Sequence, residues 1–378
     1  MRHLLHVILW IANILAGLAL LASAFAGGID PVAHPFAAVV AMALPVTVPA
    51  MLAVLVLDVT FSRRATVWAL VCICLSLPAA LQCFPVHLPP GELSEQERAR
   101  SFTLLSYNVM DFESPDDSFP AYGNATLSYI LAADADVVCL QESSYLCPLG
   151  QTNITQAQID SLHARYPYRV RGPQLRHFTL LSKYPVQPLV LPYRARVTYP
   201  DGHTDHDWYW NYLDGYTLTI HGRRVNIFSV HLSSFGLTDA DKALYGKLTR
   251  LNGGGGNNLS SVRHSLVAKV EVAAIRRAAQ VQQLIGIISH HPADRVIVCG
   301  DFNDVPASWP LRQLQKRGFH EVYPQLGFGY MPTYNRNRFL FTIDHVLYRG
   351  ALKPHAILRG RTAASDHFPL LTTFVLED

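Results

Sequence analysis

The first 85 residues carry five formal charges: Arg2, Asp30, Asp58, Arg63 and Arg64. The rest of that stretch falls into three long apolar runs, residues 4–26, 36–61 and 66–84. About 20 apolar residues suffice to cross a bilayer as a helix. Pro45 and Pro49 interrupt the second run, and membrane helices tolerate proline. Three such runs in succession predict three transmembrane helices, because buried core helices do not repeat at this length and spacing. Arg2 precedes the first run and Arg63-Arg64 separate the second and third, whereas the loop 27–35 has no Lys or Arg. By the positive-inside rule, both arginine-bearing ends face the cytoplasm. Everything after Phe84 then lies outside, as in a bacterial inner-membrane protein with a periplasmic domain and the lipid bilayer as its partner. An alternative is that residues 4–26 form a signal peptide cleaved after Ala26. It leaves the later part outside as well.

Residues 86–100 contain Pro-Pro-Gly followed by a Glu-rich stretch, which reads as a linker. Composition changes near residue 101, so 101–378 forms the second unit. The whole chain has 31 Lys and Arg against 28 Asp and Glu. Without the three basic and two acidic residues of the first 85, 28 and 26 remain. That balance excludes a dedicated duplex-DNA binder, which needs a basic face. The six cysteines show no CxxC pair or zinc spacing, and they do not report the redox compartment.

Strand and helix signals alternate through the second unit. Strands are predicted at 102–109, 136–141, 178–182, 208–213, 216–220, 225–232, 295–299, 342–348 and 368–374. A turn at His221-Gly222 joins two of them. Helices are predicted at 123–133, 154–165, 262–289 and 309–317, with an irregular insertion at 237–261. The pattern implies a β-sandwich core with helices on its outer faces.

Val296-Ile-Val-Cys-Gly-Asp-Phe-Asn303 reads as a buried strand ending in a carboxylate and an amide on one side. Gly-Asp-x-Asn also suits an Asx turn capping a strand. The placement recurs, however. Asn108 closes one strand, Glu142 follows another, and His231 lies near the end of a third. Asp344 falls within the 342–348 strand, and Asp366-His367 precede the last. Such a set suits hydrolysis of a phosphate ester. Glu142, Asp366 and Asn108 supply hard oxygen donors for Mg²⁺ or Mn²⁺. Asp301 and Asn303 can orient and deprotonate a water. His231, His367 and Asn108 can donate to phosphate oxygens, and Asp344 is a partner for His367.

Ser106-Tyr-Asn108, Gln141-Glu142, Leu181-Ser-Lys-Tyr-Pro185, Val230-His-Leu232, Gly300-Asp-Phe-Asn303, Ile343-Asp344 and Ser365-Asp-His367 stand in an order that resembles the endonuclease/exonuclease/phosphatase superfamily. The resemblance covers residues 101–378. It implies a four-layer α/β/β/α sandwich, like that of pancreatic-type DNase, behind the three transmembrane helices. It implies Glu142 as main metal ligand with Asn108 and Asp366 nearby, and His231 at the phosphate. Asp301 would align or deprotonate the nucleophile, with Asn303 as its partner, and Asp344 and His367 would form a carboxylate–imidazole pair. Nuclease is the default activity. A phospholipid, sphingomyelin, sugar-phosphate or inositol-phosphate substrate is the rival. A membrane-anchored binding module without turnover is a reading of another class. No protein partner is implied.

Gly253–Gly256 is not a P-loop, because no Gly-Lys-Ser/Thr follows. Its neighbours Lys242, Lys247, Arg250, Arg263 and His264 read as a solvated face or as contacts for an anion. His203, Asp205, His206 and Asp207 could form a second metal site, and Trp208-Tyr-Trp210 either an interfacial ridge or part of a strand. Arg276-Arg277 could reach the site or snorkel over the core.

Overall fold

Residues 2–113, 123–143, 153–171, 177–191, 197–199, 202–205, 212–236, 256–336 and 340–378 are described in a computed structural model of the chain. The predicted 208–213 strand, the glycine loop, Trp208–Trp210, His206, Asp207, Lys242, Lys247, Arg250 and Cys147 fall wholly or mainly outside them.

Two six-stranded sheets stack face to face. The first has the order β13 (Leu352–Arg359), β14 (Leu370–Leu376), β1 (Ser101–Asn108), β2 (Val137–Gln141), β4 (Phe178–Ser182) and β3 (Tyr168–Arg171). The second runs β11 (His320–Glu321), β12 (Asp344–Gly350), β10 (Arg295–Asp301), β9 (Arg223–His231), β8 (Leu213–Ile220) and β5 (Val186–Pro188). A short ribbon pairs β6 (Val197–Thr198) with β7 (Thr204–Asp205). The β8–β9 turn occurs at His221-Gly222 as predicted, with φ of 48° and 75°. This is the left-handed geometry that tight hairpins require.

Alternation along the strands builds three apolar layers. Phe102, Leu104, Val137 and Cys139 of the first sheet meet Leu218, Ile227, Ile297 and Cys299 of the second. On the outer face of the first sheet, Leu105, Tyr107 and Val138 pack on α6 (Ala125–Ala133) and α7 (Gln156–Arg165) through Leu127, Ile130 and Leu162. On the outer face of the second, Phe228 and Val298 pack on α8 (Gly256–His290) and α9 (Trp309–Gln315) through Val281, Leu284 and Leu311. The four layers match the sequence expectation. The long helix begins at Gly256, so the end of the predicted 237–261 insertion is helical. Strands β3, β5, β6, β7, β11 and β13 were not predicted, because they are short or, in β13, an edge strand with an irregular register.

The N-terminal unit departs from three uninterrupted spans. Its helices are α1 (Arg2–Ala26), α2 (Phe36–Ala41), α3 (Leu44–Phe61) and α4 (Arg63–Cys83). Two stretches are long and apolar enough to cross a membrane, Val7–Ala26 and Arg63–Cys83, while Leu44–Thr60 is shorter. The expected 36–61 run breaks at Met42-Ala43. Pro45 explains the break: a proline ring clashes with the carbonyl four residues back, and here that residue is Ala41, the last of α2. Within the bundle Asn13 donates to Asp58 and to the Ala65 carbonyl.

The linker is also more ordered than its composition suggests. Ser94 and Glu97 form a capping box that starts α5 (Glu95–Ala99). Val86 bridges to Phe328, and a short helix of the second unit, α10 (Tyr323–Leu326), receives His87 through the Pro324 carbonyl.

The domain is docked on the ends of α1 and α4. Arg312 donates to the Ala24 carbonyl at 2.8 Å, Gln315 to Gln82 at 3.1 Å, and the Phe84 and Tyr330 rings lie 5.4 Å apart. Gly27 is the tightest point, since a Cβ there would lie 2.0 Å from the Ala307 carbonyl oxygen. Gly27→Ala should therefore part the two units, at a cost of about 1–3 kcal/mol, as other overpacked contacts do. The check is faster proteolysis of linker 86–100 in a variant whose domain still melts cooperatively. Unchanged proteolysis would mean that the contact yields without cost.

Candidate active site

Strand register assembles the site. In the first sheet, parallel β1 and β2 place Asn108 beside Gln141, and Glu142 follows at once. In the second, parallel β9 and β10 place His231 beside Asp301, and antiparallel β12 places Asp344 on the other side of Asp301. Each parallel pair is joined by a helical crossover, as parallel strands require, and the Asn108–Asp301 contact shows that both pairs end at the same edge of the sandwich. Gln141 Nε2 donates to Ser229 Oγ at 2.9 Å and ties β2 to β9 there.

Local backbone geometry then turns the side chains inward. Gly300 has φ of 137°, and a Cβ at that position would sit 2.0 Å from the Val230 carbonyl oxygen. Only glycine allows β10 to approach β9 so closely. Glu142 and Asn303 both have left-handed φ, 48° and 49°. Non-glycine residues hold that conformation at a cost of about 1–3 kcal/mol, and such strain clusters at functional sites. Met110, Asp111 and Phe112, which follow Asn108, share it.

The polar network is closely spaced. Asn108 Nδ2 donates to Glu142 Oε1 at 3.0 Å and to Asp301 Oδ2 at 3.2 Å, joining the two sheets. His231 Nε2 lies 3.5 Å from Glu142 Oε1 and 3.7 Å from Asp301 Oδ2. His367 Nδ1 bonds Asp344 Oδ2 at 2.8 Å, while its Nε2 faces Asp301 Oδ2 at 3.5 Å. The Tyr334 ring stands edge-on to His367 at 5.0 Å. Asn303 donates its backbone N–H to Asp301 Oδ1 and its side-chain amide to the Leu232 carbonyl. Ser365 Oγ donates to the Asn108 carbonyl, anchoring the segment that carries Asp366 and His367.

Burial and charge set the protonation states. Burial lifts the Asp301 carboxyl to about 6, while His367 pulls against the rise. Burial would lower His367, but the Asp344 and Asp301 carboxylates more than reverse it and push the ring up to about 10. Burial also raises Glu142, yet His231, Asn108 and His367 together hold it below its ordinary range. At neutral pH the site thus holds a charged imidazolium between two carboxylates, beside an ionised glutamate.

Two groups of side chains could receive a cation. Asp301, Asp344 and His367 have donor atoms within 4.8 Å of one another. A protonated His367 has no ring lone pair to lend, so this trio suits proton and charge handling. The other group is Glu142 with Asn108 and Asp366. Glu142 and Asp366 line one cavity of about 580 Å³ together with His231, Asp301, Asn303 and His367. Its hard oxygen donors, with no thiol among the described lining residues, fit Mg²⁺ or Mn²⁺. As placed, Asn108 turns its amide nitrogen to the carboxylates and its oxygen to the Met110 N–H. Ligation by its oxygen requires rotation of that amide.

Three features are not legible in the sequence. Arg277, fully buried on α8, donates from Nε to Asp304 Oδ2 at 2.9 Å and from Nη1 to the Ser233 carbonyl. It supports the loop after Asn303, whereas Arg276 turns away to the Tyr199 hydroxyl. His345 lies buried between Glu321 Oε1 at 2.6 Å and the Asp304 carbonyl at 2.9 Å, bracing the same loop. The lining of the cavity also includes apolar side chains, among them Val39 and Met42 from the N-terminal unit. Of the proposed second metal cluster, His203 stacks on Tyr199, and two members lie outside the described residues.

The profile of the Endonuclease/Exonuclease/phosphatase family matches residues 105–367, and that of a domain of unknown function, DUF8431, matches residues 6–82. No curated protein matches the chain. Among solved structures, an endonuclease/exonuclease/phosphatase from Beutenbergia cavernae shares 17% identity over 74% of this chain and 72% of its own, with a TM-score of 0.45. The human Nocturnin catalytic domain with bound sulfate shares 16% over 73% and 94%, with a TM-score of 0.47. ANGEL2, a 2′,3′-cyclic phosphatase solved with adenosine-2′,3′-vanadate, shares 17% over 74% and 96%, with a TM-score of 0.42. With the family profile spanning most of the chain and Asn108, Glu142, His231, Asp301, Asp344 and His367 gathered at one edge of the sandwich, this chain belongs to the Endonuclease/Exonuclease/phosphatase family and is a hydrolase acting on ester bonds.

Proposed function

We propose that the chain is a membrane-anchored, divalent-metal-dependent phosphoesterase whose catalytic domain lies outside the cytoplasm. The observation that carries the catalytic reading is the Asp344–His367–Asp301 alignment, at 2.8 and 3.5 Å, facing Glu142 across His231. Glu142, with Asp366 and a rotated Asn108, would hold the ion. Bound there, Mg²⁺ or Mn²⁺ polarises a phosphoryl oxygen and offsets the charge that develops on it. Asp301 takes the proton of the attacking water. Its raised pKa, about 6, suits a base that works near neutral pH. The water oxygen bonds to phosphorus, the ester P–O bond breaks, and the departing oxygen takes up a proton. His367, held cationic by Asp344, and His231 stabilise the phosphoryl oxygens. Asn303, fixed by Leu232, has a second amide N–H to offer the phosphate.

Anchoring is supported by geometry. The ends of α1 and α4 that touch the domain lie opposite the Arg63-Arg64 end of α4. The positive-inside rule sends that arginine end to the cytoplasm and the domain to the other side. A fusion protein that fluoresces only in the cytoplasm, attached after Asp378, should stay dark; a bright fusion would refute the orientation.

The catalytic reading is tested on the full chain in nanodiscs, with bis(4-nitrophenyl) phosphate and 4-nitrophenyl phosphate. EDTA should abolish turnover and Mg²⁺ or Mn²⁺ should restore it. Glu142→Gln should raise the metal concentration needed by at least roughly 10- to 100-fold, the loss that even outer-shell changes cause. Metal-independent turnover would contradict the ligand assignment. A complete lack of turnover on phosphoesters would favour the silent binding module.

A further inference from the structure

We propose that the substrate is a phosphoester bearing a long hydrocarbon chain, taken from the bilayer, and that this chain lies against the apolar lining of the catalytic cavity. The proposal rests on the phosphoesterase reading and names its substrate class. One cavity is lined by both catalytic and apolar side chains. Glu142, Asp301, Asp366 and His367 line it together with an apolar set, Val39, Met42, Leu266, Val267, Val270 and Phe341. Its volume of about 580 Å³ falls within the range of pockets that enclose organic ligands. A site for a small polar phosphoester would have no use for that apolar set.

The origin of the apolar lining points the same way. Val39 lies on α2 and Met42 at the break before α3, so part of a catalytic cavity is built by the apolar N-terminal unit. That break is on the domain side of the unit, close to where Gly27 and Phe84 meet the domain. In an anchored protein this is the depth of the lipid headgroups. A lipid there presents its phosphate to the catalytic side chains and its chain to the apolar ones. Beside the same junction, Val86, Phe328 and Leu340 are 69, 71 and 55% exposed. An apolar rim of that kind is what a bilayer interface covers. Charge argues against a polyanion, since Arg336 is the one Lys or Arg among the described lining residues.

Hydrolysis of such a substrate adds water across one P–O bond: oxygen joins phosphorus, and the leaving oxygen takes the proton. For a short chain that reaches the cavity from water, burial stabilises the bound state by a set amount for each methylene, whereas a chain already in the bilayer gains little by the transfer.

The test uses full-length protein in nanodiscs and a series of 4-nitrophenyl alkyl phosphates from methyl to hexadecyl. Among the short-chain esters that remain in water, kcat/KM should rise roughly threefold to fourfold per methylene until the slot fills. Met42→Trp and Val267→Trp, which fill the slot, should each lower the hexadecyl-to-methyl ratio of kcat/KM at least tenfold. A flat chain-length profile with metal-dependent turnover would overturn the slot and leave the phosphoesterase standing. Cleavage of single-stranded DNA or RNA oligonucleotides faster than of the hexadecyl ester would also overturn it. Binding of methyl- and hexadecylphosphonate, measured by calorimetry on the same nanodiscs, separates the remaining cases. Chain-dependent binding lost in Val267→Trp, without turnover of any ester, would keep the slot and sink the phosphoesterase. Binding equal for both phosphonates would sink the slot.

Discussion

Asp301→Asn is expected to lower kcat roughly 10²- to 10⁴-fold, the usual contribution of a positioned general base. KM should change little. The substitution keeps the shape of the side chain and the Asn303 N–H contact, but it removes the one group placed to accept a proton between His231 and His367. Stability should not suffer in parallel. Burial already works against the ionised form of this side chain, so a neutral amide should leave the melting temperature unchanged or raise it. Combining Asp301→Asn with His367→Gln should cost far less than the product of the two single effects, because groups that act as a unit are not additive. A wild-type rate in Asp301→Asn would refute the role assigned to it, and a full multiplicative loss would refute the coupling.

Arg277→Met should destabilise the domain by about 3–5 kcal/mol, the cost of leaving one partner of a buried ion pair alone. Arg277 is fully buried and Asp304 nearly so. Without the guanidinium, the Asp304 carboxylate is stranded in the core and the Ser233 carbonyl loses a donor. The double variant Arg277→Met/Asp304→Asn should recover most of the loss, since it strands no charge. Urea melts of nanodisc samples, followed by circular dichroism, measure both. A loss below about 1 kcal/mol in the single variant would mean that water reaches the pair. In that case Arg277 would not be what fixes the Asn303 loop.

The motif residues were legible because strand ends advertise themselves. A buried β-branched run followed by Gly-Asp-Phe-Asn leaves few places for a carboxylate to point, and the same holds for Tyr-Asn108 and Gln-Glu142. The sheet arrangement followed from the alternation of strands and helices. The second apolar run misled, because its hydropathy is continuous while its backbone is not. Pro45 acts through the carbonyl of Ala41, a local steric effect that a composition window averages away. The edge strands were missed because short strands depend on a neighbour for their hydrogen bonds more than on their own residues.

By itself, then, the sequence determined which side chains are candidates for the chemistry, the four-layer sandwich that carries them, and the apolar character of the first 85 residues. Tertiary structure alone decided the rest. Strand register set Asn108, Glu142, His231, Asp301 and Asp344 along one edge, and only that proximity moved the proton affinities of Glu142 and Asp301. Docking of the helices brought Val39 and Met42 to a cavity that they share with Glu142, Asp301 and His367, remote from them in sequence. Arg277 was visible as a charge but not as a buried one, because burial depends on what packs around a residue. Local sequence fixes backbone preference and chemical type; distances between remote residues exist only once the chain has closed on itself.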